Sequence, residues 1–181
     1  MLNFNNWWIE KNKNAISFLL ENFSFSSPER APKIKKIVVS SAVNQVVTNK
    51  QCLNNTIECL ERIVNQKVAV TKSKKSAFKM RKGSPMGCKV TLRRFKMKNF
   101  LFKLINLYVP RSRNFRGLSR DGFDKDGNYN FGVSDLTIFH EVPYNLTFKN
   151  QGLQINIVFN SNIISENKLY LEKLSFPFRK S

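Results

Sequence analysis

Acidic residues are missing from the centre of this sequence: the 59 residues from Arg62 to Arg120 contain 18 Lys or Arg and no Asp or Glu. The flanks are close to neutral, with 7 basic and 5 acidic residues in positions 1–61 and 6 basic and 7 acidic in positions 121–181. Nearly all of the formal charge of +19 therefore sits in one third of the 181-residue chain. Surfaces selected only for solubility mix signs, so this stretch is not explained as an ordinary solvated face. It implies a polyanionic partner: nucleic acid first, with an acidic membrane surface or an acidic protein as the alternatives.

Other absences narrow the function further. The longest apolar stretch, Phe100 to Val109, is interrupted by Lys103 and Asn106, well short of the roughly 20 residues a membrane span needs. A soluble protein is expected. The three cysteines, Cys52, Cys59 and Cys88, form no CxxC pair, and His140 is the single histidine, so no zinc shell is expected. If Cys52 and Cys59 share a helix, they lie about 10 Å apart along it, too far for a disulfide, and reduced core thiols are expected.

Catalytic signals are equally sparse. The segment GSPMGCK, Gly83 to Lys89, lacks the spacing of a phosphate loop and should enter a strand instead of opening a helix. Asp124-Lys125-Asp126-Gly127 lacks a carboxylate at the first and twelfth positions of a calcium loop, which would fall on Gly122 and Val133, so it reads as a turn. His140 beside Glu141 has no evident catalytic partner. No enzyme, cofactor or metal is expected.

What is present is enough to fold. A hydrophobic fraction of 41% with 12% aromatics argues against a wholly disordered basic tail, and a single core at this length could bury roughly 70% of the unfolded surface. Phe78, Met80, Val90, Leu92, Phe95, Phe100, Leu104 and Tyr108 interleave with the central cations and can supply a core. The expected organisation is an N-terminal helix and linker over 1–30 and a single α+β domain over 31–181. That domain should be a mostly antiparallel sheet with helices on one face and a protruding basic loop.

Periodicity supplies the elements. Ile9, Ile16, Leu19, Leu20 and Phe23 define one face of the first helix, which should stop near Ser26-Ser27-Pro28. A strand is expected over Lys35 to Ser41. Thr48 to Gln51 has capping-box spacing for a helix carrying Leu53, Ile57, Leu60 and Val64. Strands follow at Lys67 to Thr71 and Met86 to Arg93, a helix at Met97 to Tyr108 ended by Pro110, strands near Asn128 to Phe139 and Leu153 to Phe159, and a last helix at Ser165 to Leu174.

Two candidate sites emerge. The loop between the middle strands carries Lys72, Lys74, Lys75, Lys79, Arg81 and Lys82, six cations within 11 residues, whose mutual repulsion phosphate contact would relieve. In the returning strand Cys88, Val90 and Leu92 alternate with Lys89, Thr91 and Arg93, giving one apolar face and one able to bond phosphate, sugar or base.

Five segments, in order, resemble the universal large-subunit ribosomal protein five, the family that binds 5S ribosomal RNA. They are KIVV at Lys36 to Val39, QKVAVTKSKKS at Gln66 to Ser76, GCKVTLR at Gly87 to Arg93, LINLYVPRSRNFRGL at Leu104 to Leu118, and GNYNFGV at Gly127 to Val133. The resemblance runs from about Ala31 through Phe178. It implies a structural protein of the central protuberance of the large subunit, without catalysis, among other large-subunit proteins. It assigns rRNA contact to Ser40, Gln66, Lys89, Thr91 and Arg93. It assigns P-site tRNA contact to Lys74, Lys75, Ser76, Phe78, Arg81 and Lys82 in the basic loop. It assigns an intersubunit bridge with small-subunit protein thirteen to Arg111, Arg113 and Arg116. The chain departs from the family where Ser40-Ser41-Ala42-Val43-Asn44 replaces an asparagine and glycine-rich turn, and in a basic loop about two residues shorter.

The richness in Asn, 22 residues, with Lys and Phe, is the mark of A+T-rich codons. An organelle-encoded mitochondrial form is expected, with an A+T-rich bacterium as the alternative. The start, MLNFNNWWIEKNKN, contains Glu10 and is not Arg-rich, unlike an imported presequence. In a mitochondrial ribosome the RNA partner would be 5S rRNA or an equivalent large-subunit rRNA element.

Overall fold

The computed structural model describes residues 4–23, 25, 27–43, 50–76, 81–112, 116–143 and 152–179. Among the described residues, four α-helices and a five-stranded antiparallel sheet make up the α+β fold, in the strand order β2-β3-β1-β5-β4. The elements are α1 (Phe4–Asn22), β1 (Ile34–Ala42), α2 (Lys50–Val64), β2 (Ala69–Lys72), β3 (Pro85–Leu92), α3 (Arg94–Lys103), β4 (Tyr129–Val133), β5 (Leu153–Phe159) and α4 (Ile164–Lys173). The chain divides into two compact units, one of residues 1–37, 93–131 and 156–181, the other of residues 38–92 and 132–155.

The second unit is built on a hairpin. Ala69, Val70 and Thr71 of β2 oppose Lys89, Cys88 and Gly87 of β3, and the register shifts beyond Thr71 so that Lys72 faces Pro85. Proline, lacking an N–H, sits at the first residue of its strand, where the ladder loses least. Helix α2 buries Cys52, Leu53, Thr56, Cys59, Leu60, Ile63 and Val64, the i, i+3, i+4, i+7 stripe of an amphipathic helix, and packs on β3. It ends at Asn65, whose left-handed backbone (φ 51°) and N–H to the Glu61 carbonyl (2.8 Å) close the last turn. The Glu61 carboxylate then accepts the Val68 N–H at 3.1 Å, fixing the entry to β2. All three cysteines are buried and none is in a disulfide. Burial raises the Cys88 pKa to about 11 and raises that of Cys59, which keeps both protonated and unreactive. Thr48 and Asn49, half of the expected capping box, lie outside the described residues.

In the first unit α1 packs against α3 and α4. The buried face of α1 is Trp8, Ala15 and Leu19, which shares only Leu19 with the expected face. Ile9 is 63% exposed and Leu20 36%. Consecutive Trp7, Trp8 and Ile9 make the apolar arc wider than one face, and packing selects the stripe of Trp8, Ala15 and Leu19. The Tyr170 hydroxyl donates to Asn12 Oδ1 (2.6 Å) and Lys11 Nζ to Ser175 Oγ (2.9 Å), tying α1 to α4 and the residues after it.

Helix α3 begins three residues earlier than expected and widens into a π-helical turn, Leu104–Tyr108, before a 3-10 turn over Val109–Arg111 holds Pro110. The strand expected to reach Phe139 stops at Val133. Leu136–Ile138 form a 3-10 turn instead. Buried Leu136, Ile138 and Phe139 mimic strand alternation for only one step, and Ser134 and Asp135 precede them. Asp124-Lys125-Asp126-Gly127 is a turn, as expected. The Asp124 carboxylate accepts the backbone N–H groups of Asp126 (3.0 Å) and Asn128 (2.8 Å) and the side-chain amides of Asn128 (3.2 Å) and Asn130 (3.3 Å). Next to it, Tyr129 lies at the centre of Phe123, Phe131, Phe176 and Phe178, with ring centroids 4.9 to 5.7 Å away.

Candidate nucleic-acid interface

Alternation decides which side chains of the second unit stay available. In β3, Cys88, Val90 and Leu92 are buried beneath α2 while Lys89 is exposed and Thr91 half-buried. Thr71, opposite Gly87, shares the Lys89 side because directly opposed residues of an antiparallel pair point the same way. In β1, Val39 and Ser41 are buried and Ser40, between them, is half-buried. The Ser41 hydroxyl donates to the Gly152 carbonyl at 2.8 Å, so of the two adjacent serines one is committed to the fold. Gln66 Nε2 donates to the Thr91 carbonyl at 3.3 Å, which holds the α2–β2 connection beside β3. Thr71, Lys89 and Thr91 thus offer hydroxyl and ammonium groups on the sheet side away from α2, with half-buried Ser40 on β1 and Gln66 beside the Thr91 backbone.

The hairpin loop is pinned at its base. The Ser73 N–H donates to the Ser84 carbonyl (2.8 Å), Gly83 N–H to Ser73 (3.0 Å) and Ser84 N–H to Arg81 (3.1 Å). Gly83 has φ +86°, a backbone region that suits glycine. Lys74, Lys75, Ser76, Arg81 and Lys82 are all exposed. Phe78 lies outside the described residues. Among the described residues none of Lys72, Lys74, Lys75, Arg81, Lys82 and Lys89 has a carboxylate partner. Glu58 of the same unit pairs with Arg62 at 2.7 Å and Glu61 is held by Val68. Unneutralised cations near the pinned base of the loop can exchange their counterions for phosphates.

Arg93 occupies the N-cap position of α3 with extended backbone (φ −139°, ψ 163°) and makes no side-chain cap bond. Arg111 and Arg116 are exposed, on the 3-10 turn after α3 and beyond it, and Arg113 lies outside the described residues. No cluster of metal-ligating side chains occurs among the described residues, and none of their helices is long and apolar enough to cross a membrane. Two contributors were missed in the sequence. Thr71 joins the face only through the β2–β3 register, and Gly87 passes so close to β1 that a Cβ there would overlap the Ser41 carbonyl oxygen. The period-2 spacing of Ala69 and Thr71 was the available signal for the first.

A helix-backed antiparallel sheet with a polar, cationic outer side and an unneutralised basic hairpin defines a basic α+β protein of the nucleic-acid-binding class. Residues 27–81 match the family described as Ribosomal protein L5, and residues 85–178 match the C-terminal region of the same ribosomal family. The Large ribosomal subunit protein uL5 of Geobacter sulfurreducens is 43% identical over 169 residues, 92% of this chain and 94% of the relative. Those of Desulforapulum autotrophicum and Geotalea daltonii are each 40% identical, over 92% and 93% of this chain and 94% and 95% of the relatives. The chain belongs to the uL5 family of large-subunit ribosomal proteins, which are structural and not enzymes.

Proposed function

We propose that the chain anchors rRNA, 5S rRNA or its equivalent, in the central protuberance of the large subunit. Ser40, Gln66, Lys89, Thr91 and Arg93 contact that RNA, and the hairpin residues Lys74, Lys75, Ser76, Phe78, Arg81 and Lys82 reach toward P-site tRNA. The observation that carries this reading is the coincidence of the acid-free segment with β2, β3 and their loop, where the described cations stand without carboxylate partners. Recognition is by phosphate neutralisation and shape, with hydroxyl and amide groups bonding sugar and backbone. Arg111, Arg113 and Arg116 form a second basic cluster, suited to the intersubunit bridge with small-subunit protein thirteen. The Asn- and Lys-rich composition favours a mitochondrial ribosome, and relatives at 40 to 43% identity in bacteria are compatible with that origin.

The test is a filter-binding titration of 5S rRNA over a range of salt. Affinity should fall steeply and log-linearly with salt. Affinity that is flat with salt, or sedimentation of the native protein free of large subunits after a moderate salt wash, would point to a different role, such as a free RNA-binding module.

A further inference from the structure

Helix α1 leaves one apolar stripe unused. Its packed side is Trp8, Ala15 and Leu19, while Ile9 and Leu20 are exposed and Ile16 is half-buried. With Lys13, these occupy positions i, i+4, i+7 and i+11, a straight row about 16 Å long. Ile9, Lys13 and Ile16 line a groove of about 390 Å³ whose further wall is Lys98 of α3. That volume is at the small end for ligand pockets and suits a few inserted side chains better than a cofactor. The lining contains two lysines and no carboxylate.

These features choose between classes of occupant. Single strands held by base stacking need an open aromatic face, and phosphate-reading surfaces such as the hairpin crowd cations together without an aliphatic row among them. Here the exposed apolar side chains are aliphatic, while Trp8 is 7% exposed and lies beneath the Lys98 ammonium, 5.6 Å from its ring centre. An aliphatic row interrupted by Lys13 and flanked by Lys98 complements a helix that presents its own aliphatic residues every three to four positions with carboxylates beside them. We propose that the α1 row of Ile9, Lys13, Ile16 and Leu20, with Lys98 beside it, docks an acidic amphipathic helix of a neighbouring protein. The surface lies in the first unit and shares no residue with the proposed RNA-contacting hairpin.

The two tryptophans of the chain, Trp7 and Trp8, both lie on α1, so their emission reports occupancy of this groove and not of the hairpin. The probe is a three-heptad Leu/Glu peptide titrated into the full-length protein, beside a peptide in which every Glu is Lys. Binding of the Glu peptide should shift tryptophan emission, and the Lys peptide should bind at least tenfold more weakly. Ile9→Asp combined with Lys13→Glu should weaken the Glu peptide tenfold or more while leaving RNA affinity unchanged. A single-stranded oligouridine should not displace the peptide. No emission shift, equal affinity for the two peptides, full affinity in the double variant, or displacement by the oligouridine would each overturn the proposal. If the double variant does not fold, the comparison of the two peptides on the parent protein still decides it.

Discussion

Gly87 of β3 runs against Ser41 of β1 so closely that a side chain at position 87 would overlap the Ser41 carbonyl oxygen. This approach sets the strand carrying Lys89 and Thr91 beside the strand carrying Ser40. Gly87→Ala should displace β3 and destabilise the protein by about 1–3 kcal/mol, as overpacking at a tight contact does. Urea denaturation measures the loss, and weaker rRNA binding should accompany it at temperatures where the variant is still folded.

Lys89 and the hairpin lysines should act through charge alone. Lys89→Ala, and Lys74→Ala with Lys75→Ala, should leave the unfolding midpoint unchanged because these side chains are exposed and have no carboxylate partner among the described residues. Each cation removed from a phosphate should reduce the log–log salt slope of rRNA or tRNA binding by roughly 0.7–0.9. Filter binding at several salt concentrations measures the slope.

The parts of this architecture fixed by local pattern were legible in the sequence. The alternation of Cys88, Val90 and Leu92 with Lys89 and Thr91 is a local property, and it identified both the buried and the available side of β3. The apolar stripe of α2 and the stop of the α3 segment at Pro110 are local in the same way. What depended on distant partners was not legible. The face α1 buries is selected by α3 and α4, and nothing within Trp7-Trp8-Ile9 distinguishes Trp8 from its neighbours. The place of Thr71 on the polar face depends on which residue of β3 it opposes. Gly87 falls within the expected strand, but its close approach to β1 shows only once β1 is brought beside it.

Asp124 should give a pH-dependent contribution to stability. Burial opposes its ionisation, but the N–H groups of Asn128 and Asp126 and the amides of Asn128 and Asn130 outweigh that and lower its pKa. The folded carboxylate therefore holds a proton less tightly than the unfolded one. Its contribution is present above the ordinary carboxylate pKa and is lost as pH falls through the lowered folded value. Asp124→Ala should cost about 1 kcal/mol at pH 7, solvent screening keeping it modest. Thermal unfolding from pH 7 down to pH 3 should show the two proteins converging.

Asn167 should respond to pH in the opposite direction when charged. It is fully buried, and its Nδ2 donates to the Gly127 carbonyl (2.9 Å) and the Ser161 carbonyl (2.8 Å). Asn167→Asp would set a carboxylate against two carbonyl oxygens, with a cost of at least about 3 kcal/mol while ionised. Such a carboxyl has a raised pKa, so the deficit should shrink as pH falls through it. Denaturation at pH 7.5 and pH 5 compares the two states.

Crosslinking within native large subunits tests the RNA interface most directly. Ultraviolet-induced adducts are mapped on the protein by mass spectrometry and on the RNA by sequencing. Adducts of Lys89, Thr91 and neighbouring β2–β3 residues with 5S rRNA or its large-subunit equivalent, with tRNA joined to the hairpin, are the expected result. Adducts confined to messenger or intron RNA, or rRNA adducts that avoid β2, β3 and their loop, would contradict it.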